Sequence, residues 1–474
     1  MAAPLRVLYV APEVAPWAKT GGLGDIAQAL PRALAAAGAE LRVLVPAYPA
    51  LSRAFPDAQM IAGFPSSGGA FPAARLLEAP GEPTLWLLEC PAYYARPGGP
   101  YQAPEGADWP DNHLRFGLLA RIAALLAGAA SPLPWRPQVL HCNDWQCGLA
   151  PAYLAFAGGA HAASLMTLHN LAYQGLFPAD ARAALALPPE SFTPEGLEFY
   201  GKLSFLKAGV RYADFITTVS PTYAREIQGA ELGFGLEGLL RERADRMIGI
   251  LNGIDTETWD PARDTLIAQR YDASRLEAKA PNKAALQRAF GLPESAGAPL
   301  LAMASRLVPQ KGCDLLIGVA DALVHAGAQL ALLGTGERAI ERALVALAAR
   351  HPRHVAVRIA FDEPLAHLIE AGADMFLMPS RFEPCGLNQF YSMRYGTVPV
   401  ARHTGGLADS VSEDTGFLFD EPTPQALLET IRRALETWRD PEAWRKLQRN
   451  GMARDFGWGG AARAYLEAYR RAIG

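Results

Sequence analysis

Two cations and a carboxylate set out the chemistry this chain could do. Arg306 and Lys311 lie five residues apart in Ser305-Arg306-Leu307-Val308-Pro309-Gln310-Lys311-Gly312, after an apolar run and before a helical pattern. That arrangement suits a diphosphate, with Arg binding as a fork and Lys as a point charge. Glu383 sits in Pro379-Ser380-Arg381-Phe382-Glu383-Pro384-Cys385-Gly386-Leu387, at another strand-to-helix junction. A carboxylate there can accept hydrogen bonds from sugar hydroxyls while helix amides face phosphate.

Lys19 opens a comparable loop, Lys19-Thr20-Gly21-Gly22-Leu23-Gly24-Asp25. Glycines admit a bulky anion close to the backbone, and the helix start offers free N–H groups. The Lys precedes the glycines and no Gly-Lys-Ser/Thr follows, so this is not a Walker A loop. It is not Gly-x-Gly-x-x-Gly either. His403-Thr404-Gly405-Gly406-Leu407-Ala408-Asp409 echoes it near the C-terminus. Two more strand ends carry polar groups, His141-Cys142-Asn143-Asp144-Trp145 and Thr167-Leu168-His169-Asn170. Side chains at two strand ends can reach one substrate, which singles out His169. Zinc is not expected there, because no second His or Cys stands at ligand spacing. No Asp-x-Asp is present, so side-chain cations must serve where many sugar-nucleotide enzymes use a metal. Blander readings stay open for each: a solvated loop Lys, a structural His, a capping Glu.

Such loops need rigid strands behind them. Short apolar runs at Leu5–Val10, Leu41–Val45, Thr84–Leu88, Val139–His141, Leu165–Leu168 and Phe215–Val219 alternate with helical patterns. This alternation implies parallel βαβ units. It restarts near residue 299 with Leu300–Ala304, Gln329–Leu333, His354–Ile359, Met375–Met378 and Val398–Ala401. Residues 252–298 lack strong strands and read as connecting structure. Two doubly wound domains fit better than one long sheet, and ligands of such sheets bind at the carboxyl ends of the strands.

Composition narrows the class. The 474 residues allow two to four domains, and the net charge of −4 offers no basic field for nucleic acid. Five cysteines, at 90, 142, 147, 313 and 385, are too sparse for a disulfide framework. No apolar stretch is long enough to span a membrane, and no targeting segment is expected at the Met-Ala-Ala-Pro start. A cytoplasmic protein is expected. Only seven of the 44 basic residues are Lys. Lys19 and Lys311 stand in glycine loops, whereas Lys279, Lys283 and Lys446 read as surface residues.

In their order, these motifs resemble the ADP-glucose-dependent glycogen and starch synthases of glycosyltransferase family 5. Further markers are His169-Asn170-Leu171-Ala172-Tyr173-Gln174-Gly175, Leu251-Asn252-Gly253-Ile254-Asp255 and Tyr395-Gly396-Thr397. The resemblance implies an α/β protein with a GT-B fold: two Rossmann-like doubly wound parallel-sheet domains facing a deep cleft. The first, on the glucan acceptor side, covers 1–249 and is completed by a final helix at 456–474. The second, on the donor side, covers 250–455. The implied reaction transfers glucose from ADP-glucose to the non-reducing end of an α-1,4-glucan such as glycogen. Configuration is retained, and no cofactor or metal is needed.

Carried over by motif, His169, Glu383, Arg306 and Lys311 are the catalytic set. Lys19, Gly21, Gly22, Asp25, Tyr101, Asp144, Asn252, Phe361, Cys385, Gly386, Leu387, Thr404 and Gly405 line the substrates. Three positions depart from the pattern. Asn143 stands where the family's His-x-His-Asp-Trp has its second His, which removes titration there. Tyr391 occupies the place of a second Glu found across the wider superfamily. Phe361 stands where a Tyr often meets adenine. Competing readings are a UDP-glucose, sucrose-forming or glycolipid-forming GT-B transferase, a glucan phosphorylase needing pyridoxal phosphate on a Lys, and an inactive glycan-binding protein.

Overall fold

The computed structural model describes residues 4–66 and 71–474; the Met-Ala-Ala start lies outside them. The chain divides into two compact units, Met1–Asn252 with Trp458–Gly474, and Gly253–Gly457.

The first unit is built on a nine-stranded sheet. Its middle strand, Arg6–Val10, pairs in parallel with Glu40–Pro46 on one side and Val139–Asn143 on the other. Beyond Val139–Asn143 come Ala163–Leu168, Phe215–Thr218 and Met247–Gly249, all parallel. Val7, Leu8, Tyr9 and Val10 are fully buried. A strand covered on both faces reads as a continuous apolar run rather than an alternation.

The sheet is not parallel throughout. Beyond Thr84–Glu89, the strands Ala74–Ala79 and Gln59–Phe64 run antiparallel. Their half-exposed residues and Gly63 hide the strand signal, and the short link between them permits only a reversal of direction. A small antiparallel sheet, Leu176–Pro178, Lys202–Ser204 and Glu198–Phe199, was equally unforeseen.

The last helix, Gly459–Ile473, belongs to this first unit. Its Tyr465 and Tyr469 are fully buried. The Tyr469 hydroxyl hydrogen-bonds with His141 Nδ1 at 2.8 Å, and His141 Nε2 with Thr167 Oγ1 at 2.7 Å. Burial holds the His141 imidazolium far below its ordinary range. His141 is therefore a neutral tie between sheet and helix.

The second unit carries a six-stranded, wholly parallel sheet. Its order is Val355–Ile359, Gln329–Gly334, Leu300–Ala304, Met375–Met378, Val398–Arg402 and Phe417–Phe419. Helix Cys313–His325 lays Leu316, Val319, Ala320 and Leu323 against it at helical spacing. The stretch expected to be only connecting holds a helix, Ala280–Phe290, whose Leu286 and Phe290 join the core.

Two lysines assigned to the surface are buried there instead. Lys279 Nζ donates to Ala371 O at 2.7 Å, Glu370 O at 3.1 Å and Thr397 Oγ1 at 2.7 Å. Lys283 pairs with Asp374 at 2.7 Å. Converging carbonyl and carboxylate oxygens replace water around both ammonium groups.

Candidate active site

In the second unit the expected residues lie on loops at the carboxyl ends of adjacent strands. Two glycines let these loops touch. Gly312 has φ +68°, and a Cβ on it would stand 2.0 Å from the Pro379 carbonyl oxygen. Gly405 has φ +45°, and its Cβ would stand 1.9 Å from the Glu383 carbonyl oxygen. No side chain fits either gap. The Gly406 amide donates to Glu383 O at 3.1 Å, and the Gln310 side chain to Phe382 O at 3.1 Å.

These contacts bring Lys311 to Glu383. The Lys311 ammonium donates to Glu383 Oε2, and Ser380 Oγ donates to the same oxygen at 3.0 Å. Glu383 is 5% exposed and Ser380 is buried. Arg306 is exposed on the Lys311 loop. Thr404 and Cys385 are buried beside this frame, Gly386 has φ +72°, and Leu387 is half-buried. Phe361 follows strand Val355–Ile359 and is 79% exposed, an open ring face. Tyr391 does not stand alone where a second Glu might have acted. It stacks on Trp259 at 3.8 Å, and Trp259 stacks on His367 at 3.7 Å.

In the first unit the glycine loop is tied down by a residue the motif reading passed over. Glu13 is 3% exposed. Its carboxylate accepts from the Thr20 amide at 2.6 Å and from the Tyr101 hydroxyl at 2.7 Å. Burial raises the Glu13 carboxyl above its ordinary range. The Gly21 amide also faces this carboxylate. The loop amides expected to face an anion are thus partly engaged, and the helix begins at Gly22. Lys19 pairs with Asp25 at 2.8 Å. The signal for Glu13 was its place at the end of the first strand, directly after Pro12.

Asp144 and His169 end neighbouring strands. Asp144 has φ +60°, unusual for a residue with a Cβ. Its carboxylate accepts from the amides of Trp145, His169 and Asn170, yet burial still pushes it up to about 7. His169 is half-buried, and desolvation holds its imidazolium down to about 3, so the ring is neutral. His169 Nε2 meets Asn143 Oδ1 at 3.1 Å. Asp144 Oδ1, His169 Nδ1 and Asn252 Oδ1 are buried without a hydrogen-bond partner among the described residues. Acceptors left without donors suit a ligand rich in hydroxyls. Among the described residues, no group of three or more His, Cys, Asp or Glu side chains could hold a metal ion.

The fold is similar over 99% of both chains to the catalytic domain of starch synthase IV from Arabidopsis thaliana bound to ADP and acarbose. The TM-score is 0.86 and the identity 31%. Sucrose-phosphate synthase from Thermosynechococcus elongatus shares the fold at TM-score 0.60 and 19% identity over 98% of each chain. Paired doubly wound units with loop sites at their strand ends define a glycosyltransferase of the GT-B fold. Residues 6–242 match the starch synthase catalytic domain, and residues 288–451 the glycosyl transferases group 1. Glycogen synthase of Dechloromonas aromatica is 54% identical over 99% of both chains. The chain belongs to the glycogen and starch synthase family.

Proposed function

We propose that this enzyme elongates glycogen, moving glucose from ADP-glucose to the non-reducing 4-hydroxyl of an α-1,4-glucan with retention of configuration. The observation that carries the reading is the Lys311–Glu383–Ser380 constellation. It lies in a chain that matches a glycogen synthase from end to end. In this reading the second unit holds the donor. Arg306 and Lys311 bind the diphosphate, Glu383 contacts the donor glucose, and Phe361 stacks on adenine. The neighbouring loop at Cys385, Gly386, Leu387, Thr404 and Gly405 frames the sugar. The first unit serves the glucan, with His169 beside the transferring glucose. Lys19, Gly21, Gly22, Asp25, Tyr101, Asp144 and Asn252 line the substrates there. The assignment is to the cytoplasm.

Cleavage of the glucosyl–phosphate bond builds positive charge on the sugar and negative charge on the departing ADP. Fixed cations on the diphosphate stabilise that leaving group without reorganisation during the reaction. Neutral His169 contributes a hydrogen bond and no charge that would oppose the developing oxocarbenium character.

Incubation with glycogen and labelled ADP-glucose or UDP-glucose, with release of each nucleotide followed, tests the reading. Faster transfer from ADP-glucose into glucan supports it. Transfer only from UDP-glucose, or release of glucose 1-phosphate from glycogen by inorganic phosphate, overturns it.

A further inference from the structure

Asn143 occupies a position where the family pattern has a titratable His, and its surroundings show what its amide does. Nδ2 donates to the Val10 carbonyl at 3.0 Å. A carbonyl oxygen can only accept, so the amide cannot be turned over without setting two oxygens against each other. Oδ1 therefore faces the other way, where it accepts from the Tyr9 hydroxyl at 3.2 Å and meets His169 Nε2 at 3.1 Å. An amide oxygen has no proton to give, so the proton of the His169 contact sits on Nε2. All three partners lie on or directly after the central strands of the first unit.

We propose that Asn143 is a positioning residue for glucosyl transfer: its side-chain oxygen fixes His169 as the Nε2-protonated neutral tautomer, leaving Nδ1 as acceptor for a hydroxyl of the substrate. This rests on the assignment of His169 to the transferring glucose. Nδ1 is buried and has no hydrogen-bond partner among the described residues. A neutral ring has one donor and one acceptor nitrogen, and spending the donor on Asn143 decides which one the substrate meets.

A neutral His at 143 could supply the same donor and acceptor. Once protonated it would have two donors and could no longer accept from His169. Asn cannot be protonated in this way, so it keeps the tautomer fixed across the range where a His would titrate. The titratable groups about this contact are Asp144, which accepts from the His169 amide, His141, Tyr9, Cys147, which shares the Val10 carbonyl, Tyr465 beside Tyr9, and Glu13 beyond Asp144.

The test combines kinetics between pH 5 and 8 with ¹⁵N spectra of the imidazoles in the full chain. The His169 signal is assigned by its loss in His169→Ala. The expected wild-type spectrum has His169 protonated on Nε2 alone throughout. Asn143→Leu should mix the tautomers and lower kcat about tenfold, with KM for ADP-glucose within about twofold. Asn143→His should restore kcat at pH 8 and lose it on acidification only well below about pH 6.5, because burial at position 143 holds an imidazolium down as it does at His141 and His169. A wild-type His169 protonated on Nδ1 overturns the proposal even if no variant folds. So does an Asn143→Leu enzyme with wild-type kcat and an unchanged tautomer. Wild-type turnover by His169→Ala sinks instead the placement of His169 at the sugar, and the spectrum still decides the tautomer.

Discussion

Lys311 donates to the carboxylate of Glu383, so the cation assigned to the diphosphate and the carboxylate assigned to the sugar neutralise each other in the second unit. Their side chains are 17% and 7% exposed. Neither charge is well hydrated, and each depends on the other. A donor diphosphate offers Lys311 a second anionic partner without removing it from Glu383, because an ammonium has three N–H groups.

Lys311→Ala should therefore destabilise the chain as well as weaken donor binding. It leaves a buried carboxylate with the Ser380 hydroxyl as its remaining side-chain partner among the described residues. A loss of about 1–3 kcal/mol is expected, below the figure for a fully buried pair because Lys311 keeps some exposure. Lys311→Ala with Glu383→Gln should regain most of that loss. Calorimetry at pH 7 on the single and double variants measures it. Equal melting temperatures for wild type and Lys311→Ala would show that the pair contributes nothing.

Turnover should separate the sugar contacts from the phosphate contacts. His169→Ala and Glu383→Gln should each lower kcat by about two orders of magnitude or more, roughly 3 kcal/mol of transition-state stabilisation. ADP binding, followed by titration calorimetry, should change far less. A folded variant of either kind with near-normal kcat removes that residue from the site.

With Arg306 and Lys311 carrying the diphosphate charge, glucosyl transfer should proceed at its full rate in excess EDTA. ADP release in chelator-treated buffer, then with Mg²⁺ or Mn²⁺ returned, is the measurement. Loss of most activity, recovered by either ion, contradicts the assignment of these cations.

Parts of the molecule were legible for definite physical reasons. Strands buried on both faces, such as Arg6–Val10 and Leu300–Ala304, show as apolar runs. The loops after them show through glycine, because Gly312 and Gly405 sit where no Cβ fits. What escaped depends on partners distant in sequence. Lys279 looks like a surface residue until the carbonyls of 370 and 371 converge on it. Glu13 is one acidic residue in a loop until Tyr101 and Thr20 meet its two oxygens. The loss of titration at Asn143 was readable; the hydrogen bond it keeps with His169 was not.

Asp144 gives a pH dependence whose sign can be worked out. Its folded carboxyl is pushed from 3.8 up to about 7, chiefly by burial. Below pH 4 the carboxyl is protonated in both folded and unfolded chains and adds nothing to the difference. Between about 4 and 7 the unfolded chain has released this proton while the folded chain retains it, so this group lowers stability as the pH rises. Above 7 the cost is complete. The rise from 3.8 to about 7 sets its upper bound at about 4 kcal/mol. Asp144→Asn removes the titration and keeps an oxygen to accept from the amides of His169 and Asn170. The stability of Asp144→Asn relative to wild type should therefore grow from pH 4 to 7 and level off above it. His169 drops out of this difference, since it is present in both chains. Urea unfolding of the two proteins at intervals from pH 4 to 8 measures the curve. A difference that stays flat, or that shrinks as the pH rises, means that Asp144 ionises in the folded chain as an ordinary carboxylate does, stabilised by its three amide donors more than burial opposes it.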